Sequence, residues 1–143
     1  MKTITFIVLL LFASATSCRA QQGLAINQAY ARYGYLPEAR EVKLAGKSVA
    51  KYKLSLFHSI EISHPTEGQV SAFCQMLKVD TQQATAYDVK HHPDGNLHSA
   101  FYCLPAKGRL RRYIFYKQTT AQVSLIYIEG KATLEEMKDR FAH

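Results

Sequence analysis

The last third of the chain constrains its fold most. Leu110-Arg-Arg-Tyr-Ile-Phe-Tyr-Lys117 and Gln122-Val-Ser-Leu-Ile-Tyr-Ile-Glu-Gly130 are rich in β-branched and aromatic residues, and the polar link Gln118-Thr-Thr-Ala121 joins them. Side chains of this kind suit a pleated, half-buried surface, so the pair reads as a β-hairpin. Thr133-Leu-Glu-Glu136 follows at once. It matches a capping box, in which a Thr hydroxyl and a Glu carboxylate satisfy the first free N–H groups of a helix.

The rest of the chain can be set around that unit. Leu24 to Tyr33 reads as a short helix, because Ile26, Ala29, Tyr30 and Tyr33 share one face; Gly34 suits the position just past its end. Glu41 to Leu44 alternates as a strand, Gly46 to Lys53 allows one helical turn, and Leu54 to Ile62 is a second strand. Pro65 and Glu67 open a helix to about Lys78, with Val70, Phe73, Cys74 and Leu77 in one stripe. Thr85 to His92 and Leu97 to Leu104 are strands around the His92-Pro-Asp-Gly-Asn96 turn, and Pro105-Ala-Lys-Gly108 turns into the final hairpin. The expected order is α-β-β-α-β-β-β-β-α. It predicts an α+β domain with a largely antiparallel sheet, a C-terminal four-strand meander, and helices packed on one face.

The first twenty residues are of a different kind. One early Lys, an apolar run from Ile4 to Ala13 and small residues after it have the pattern of a secretory signal peptide. The run is too short for a permanent transmembrane helix, and none is expected in the mature chain. Cleavage after Ala20 leaves Gln21 first, and residues 21–143 form a single domain. Alternatively, Ala15-Thr-Ser-Cys18 is a loose lipobox, and Cys18 would carry a lipid.

The whole chain carries a formal charge of +7. The leader holds only Lys2 and Arg19 among its charges, so the remainder stays basic. In an exported protein that balance points to an acidic glycan, an anionic lipid surface or an envelope protein as partner, and away from nucleic acid. Ordinary solvation also accounts for it. Export also permits a disulfide between Cys74 and Cys103, although buried cysteines often pack as plain thiols.

These features together resemble a known kind of protein. A secreted N-terminus, a short helix ending Arg32-Tyr-Gly34, a middle amphipathic helix, and a meander ending Ile126-Tyr-Ile-Glu-Gly130 before an acidic helix are similar to small exported lipoprotein-like domains of unknown function from Bacteroides-type bacteria. The resemblance implies an envelope location, an α+β fold and a link to envelope signalling. It supplies no catalytic residues.

Chemistry-bearing residues are sparse. His91 and His98 flank the Pro-Asp-Gly turn, and with a carboxylate they are the weak candidates for a zinc site. His91 and His92 point to opposite faces of a strand, so only one of them can join His98. A Cys103–His98 nucleophile pair fails for the same reason, since five residues of strand separate the two. Glu129, Glu135 and Glu136 could suggest a carboxylate pair, but the capping box accounts for Glu136 and the helix N-terminal dipole favours Glu135. There is no phosphate loop, Cys-x-x-Cys, Gly-x-Ser-x-Gly or His-Glu-x-x-His, and no cofactor is expected. The remaining candidate is an aromatic-basic surface drawn from Tyr102, Arg109, Arg111, Tyr113 and Tyr127, on whichever sheet face the helices leave open.

The sequence therefore reads as an exported, non-catalytic binding or regulatory module. The alternatives are a periplasmic hydrolase and a structural lipoprotein tethered through Cys18. Intact mass measured on protein from its own cell envelope should match a chain beginning at Gln21; an acylated Cys18 would assign the tethered form instead.

Overall fold

The computed structural model describes residues 23–141, so the expected leader and its Cys18 lie outside the described residues. Ten elements follow in order: α1 (Asn27–Tyr33), β1 (Ala39–Ala45), α2 (Lys47–Ala50), β2 (Leu54–Ser63), α3 (Glu67–Asp80), β3 (Thr85–His91), β4 (Leu97–Lys107), β5 (Leu110–Gln118), β6 (Gln122–Gly130) and α4 (Leu134–Phe141). The six strands form one sheet in the order β1-β2-β6-β5-β4-β3, with every pairing antiparallel. The α+β class and the meander β3-β4-β5-β6 are as the sequence led us to expect. The one long-range step is β2 against β6, which places β6 between β2 and β5.

α3 carries the chain from β2, near one edge, to β3 at the other. Its start is set by Thr66, whose hydroxyl accepts from Gln69 N while the Gln69 side chain accepts from Thr66 N. This capping box was legible as Thr66-Glu-Gly-Gln69 and went unread above. Phe73, Met76 and Leu77 are buried from α3. At about 1.5–3 kcal/mol each, they outweigh the ~1 kcal/mol that Gly68 costs a helix. Asp80, at the end of α3, accepts from Ala25 N and Ile26 N at 2.7 and 2.8 Å. Its carboxylate thus serves the free N–H groups where α1 begins, and α1 and α3 share a core with Ile60, Ile62, Ile114, Tyr116, Leu125 and Tyr127.

The placement of the helices on one face needs a correction. α1 and α3 do cover one face, but α4 packs on the other. Met137 meets a second core of Val49, Leu54, Phe101, Tyr113, Ile128 and Ala132. The physical reason is visible in β5 and β6, where alternate residues are apolar on both sides, so each face requires a cover.

Three local expectations also change. β4 runs through Pro105 to Lys107, because a register shift between Leu104 and Lys107 absorbs the proline, and Gly108 (φ 60) begins a two-residue turn. β3 is interrupted at Asp88 (φ 51), with register shifts on either side of Lys90. Gly34 stays right-handed at φ −61; what requires a glycine there is the Glu41 carboxylate and Tyr30 carbonyl filling the space of a Cβ.

Gly130 shows the tightest backbone approach. A Cβ there would lie 2.5 Å from Lys53 O and 2.6 Å from Leu54 Cα, both main-chain atoms of the β2 start. Lys131 N and Ala132 N both donate to that same Lys53 carbonyl. Gly130→Ala is therefore expected to destabilise by about 1–3 kcal/mol, seen as a melting temperature at least ~5 °C lower. An unchanged melting temperature would show that this junction yields.

Candidate functional site

An open cleft of about 820 Å³ lies at one end of the sheet. Three segments converge on it: the first turns of α3 (Glu67, Val70, Ser71, Cys74), the β3–β4 turn (His92, Pro93, Asp94, Asn96, Leu97) and the β5–β6 turn (Gln118, Thr119, Thr120). The β3–β4 turn holds its shape locally. Gly95 at φ 90 permits the reversal, and Asp94 accepts from Asn96 N at 2.9 Å.

Gln118 organises two imidazoles at this end of the sheet, of which His92 lines the cleft. His92 Nε2 lies 2.7 Å from Gln118 Oε1 and 3.0 Å from Gln118 O, and His98 Nδ1 lies 2.8 Å from Gln118 O. The amide orientation is set by Gln118 Nε2 donating to Thr119 O at 2.9 Å. Carbonyl oxygens only accept, so both contacting ring nitrogens must carry the proton. In the neutral rings His92 Nδ1 and His98 Nε2 are then acceptors. The two rings meet edge to face with centroids 4.6 Å apart.

The histidine that joins His98 is thus His92, not His91. His91 pairs with Leu97 and Lys90 with Ser99, so the shifted register puts neither residue directly across from His98. Among the described residues no group of three His, Cys, Asp or Glu side chains is placed to hold a metal ion. The cysteines do not meet either. Cys74 packs with the α3 core and its sulfur contacts Tyr116 Oη at 3.5 Å, whereas Cys103 packs with the α4 core. Both are free thiols on opposite sides of the sheet, the plain-thiol alternative to the bridge that export permits.

The aromatic-basic surface does not assemble. Tyr113 and Tyr127 are buried at 1% and 0% exposure, Tyr102 is half-buried under the α3 side, and only Arg109 and Arg111 are open to solvent. The buried rings work as internal ties. Tyr113 Oη donates to Ala132 O at 2.8 Å, and Tyr30 Oη donates to His58 O at 2.8 Å. Burial pushes the phenols of Tyr30, Tyr102, Tyr113, Tyr116 and Tyr127 up from their ordinary range. A high tyrosine count signalled recognition to a sequence reading; here it fills two cores.

Residues 13–141 match a family described as a family of unknown function, DUF6108. The chain belongs to that family. No curated protein matches it.

Sequence reasoning missed a buried polar line in this DUF6108 domain. His58 Nε2 lies 2.7 Å from Glu41 Oε1, and its ring stacks on Tyr30 with centroids 3.5 Å apart. Further along the same face Arg112 and Glu129 are cross-strand neighbours, both buried, with Arg112 Nε donating to Pro105 O at 2.9 Å. Burial raises the Glu129 carboxyl above its ordinary value, against the pull of Arg112. The available signal was alternation, which put Arg112 on the face of Ile114 and Tyr116.

His58 has a consequence for stability. Burial lowers its pKa below the ordinary 6.5; Glu41 opposes that shift, and Lys43 adds to it. Between the lowered value and 6.5 the unfolded chain binds more protons than the folded one, so stability is full above about 6.5 and falls as pH drops through that window. Urea unfolding as a function of pH should show this decline, and His58→Gln should flatten it. An equal slope in the variant would assign the decline to another group.

Proposed function

We propose that this DUF6108 chain is an exported envelope domain that acts by binding rather than catalysis. Its ligand is a small, donor-rich polar molecule of the neutral or amino-sugar class, held in the cleft between α3 and the two turns. One observation carries the reading: Gln118 holds the lining His92 through its protonated Nε2, which leaves His92 Nδ1 as an acceptor in a lining shared with the Glu67 and Asp94 carboxylates. Among the described residues, no Lys or Arg lines the cleft. Hydroxyl and ammonium donors complement such a lining, while Pro65, Pro93, Val70 and Leu97 offer apolar surface to a sugar ring.

Binding also fits better than hydrolysis. The Cys74 thiol, which lines the cleft, contacts a tyrosine hydroxyl and not an imidazole, so it is not paired with a base there. Residues 1–20 act as the export leader, and recognition of an envelope sugar would give the domain a regulatory role there.

Amide NMR of the chain beginning at Gln21, titrated with glucosamine and with N-acetylglucosamine, tests this. Shifts should concentrate at His92, Asn96 and Gln118, and His92→Ala or Glu67→Gln should each weaken binding about five- to tenfold. Silence with both sugars, or undiminished binding in both variants, would refute it.

A further inference from the structure

A second opening lies at the opposite end of the sheet, where β1 ends and β2 begins, and cations border it. An apolar hollow of about 240 Å³ opens there, floored by Val49, Leu54, Phe57 and Phe141. Leu44 and Tyr52 stand at its rim, 41% and 42% exposed. The rim is cationic. Lys51 Nζ lies 5.0 Å and Arg140 Cζ 5.2 Å from the Tyr52 ring centroid, and Arg140 Nη1 donates to Tyr52 O at 3.0 Å. Exposed Lys47 opens α2 beside them. No acid lines the hollow among the described residues; on neighbouring α4 Glu136 is taken by Lys53 at 3.2 Å, while Glu135 and Asp139 are exposed outside the lining.

Scattered exposed apolar residues need no explanation, but these two border a hollow that continues into the second core. An aromatic and a leucine set among long cationic side chains is the composition that seats at a lipid–water boundary: rings and methylenes reach inward while charges stay at phosphate depth. Two exposed apolar side chains are too few for the centre of a standard protein interface of about 800 Å² per side. A bilayer asks only for a shallow anchor and matching charge.

We propose that this face docks on an anionic lipid bilayer, with Leu44 and Tyr52 entering the headgroup layer and Lys47, Lys51 and Arg140 neutralising lipid phosphates. The docked domain then presents its ligand cleft away from the membrane, because the two lie at opposite ends of the same strands. This docking is independent of what the cleft binds.

Co-sedimentation with vesicles tests it, using the chain that begins at Gln21 so that any lipid on Cys18 is excluded. Vesicles of phosphatidylcholine with about one-third phosphatidylglycerol should be bound, pure phosphatidylcholine should not, and high salt should release the protein. Lys47→Gln and Lys51→Gln should each weaken binding about fivefold. Tyr52→Ser and Leu44→Ser leave the charge unchanged and should weaken it as well. The exposed positions of all four leave the fold intact, which circular dichroism checks.

No binding to the anionic vesicles at low salt would overturn the proposal. So would binding abolished by Lys107→Gln with Arg109→Gln but indifferent to the four rim variants, since that assigns the contact to the β4–β5 turn. Release by soluble glycerol phosphate alone, with no dependence on Leu44 or Tyr52, would show a free anion site and also overturn it.

Discussion

Burial of β6 on both faces is the constraint on which the rest depends. The strand lies between β5, its hairpin partner, and β2, some sixty residues upstream. Leu125 and Tyr127 point to one core, and Ile126 and Ile128 to the other. An edge position would leave one row of its backbone groups open, and a one-sided sheet would leave one apolar row in water. The pairing with β2 removes the first problem and obliges α3 to cross the whole sheet to reach β3. The second requires a helix on each face, which is why α4 folds to the side opposite α1 and α3. Gly130 marks where these demands meet, because β6 leaves the sheet under the carbonyl of Lys53.

Most of the elements were legible because each carried a local signal. The hairpin, the His92-Pro-Asp-Gly-Asn96 turn and the apolar stripe of α3 each follow from a period or from turn chemistry. Which face α4 would cover was not legible, even though alternation along Leu110 to Lys117 puts apolar residues at the centre of both faces of β5. The register of β3 was also hidden, since Asp88 has a positive φ with no glycine to announce it. That break decided the site: it put His92 rather than His91 beside His98. The Gln118 link was invisible because it joins two turns brought together only by the meander, with twenty residues between His98 and Gln118. Fold follows local rules here, and the site follows from their sum.

Tyrosine and charge illustrate how composition misleads when it is read without position. Nine tyrosines and a +7 charge suggested one aromatic-basic surface. The structure separates the two. Tyr30, Tyr113, Tyr116 and Tyr127 are interior, where a ring fills core volume and, in Tyr30 and Tyr113, a hydroxyl ties strands to distant backbone. Cations lie at both ends of the strands, but they divide by setting: Arg40, Lys90 and Lys117 stand on strands at the cleft end, whereas Lys51 and Arg140 flank the Tyr52 ring beside the apolar hollow at the other.

That division gives the domain a direction. A sheet whose strands carry acceptors at one end and cations around an apolar hollow at the other cannot lie equally on both ends against an anionic surface. In the proposed docking, Coulomb attraction would turn the hollow's cations inward before contact, acting over about a Debye length, roughly 8–10 Å at physiological salt. The cleft, with Glu67 and Asp94 at its lining, is turned away by the same field. Orientation and ligand access would then come from one property, the placement of the cation-bordered hollow and the cleft at opposite ends of the same strands. Neither end needs to sense the other for the cleft to face outward.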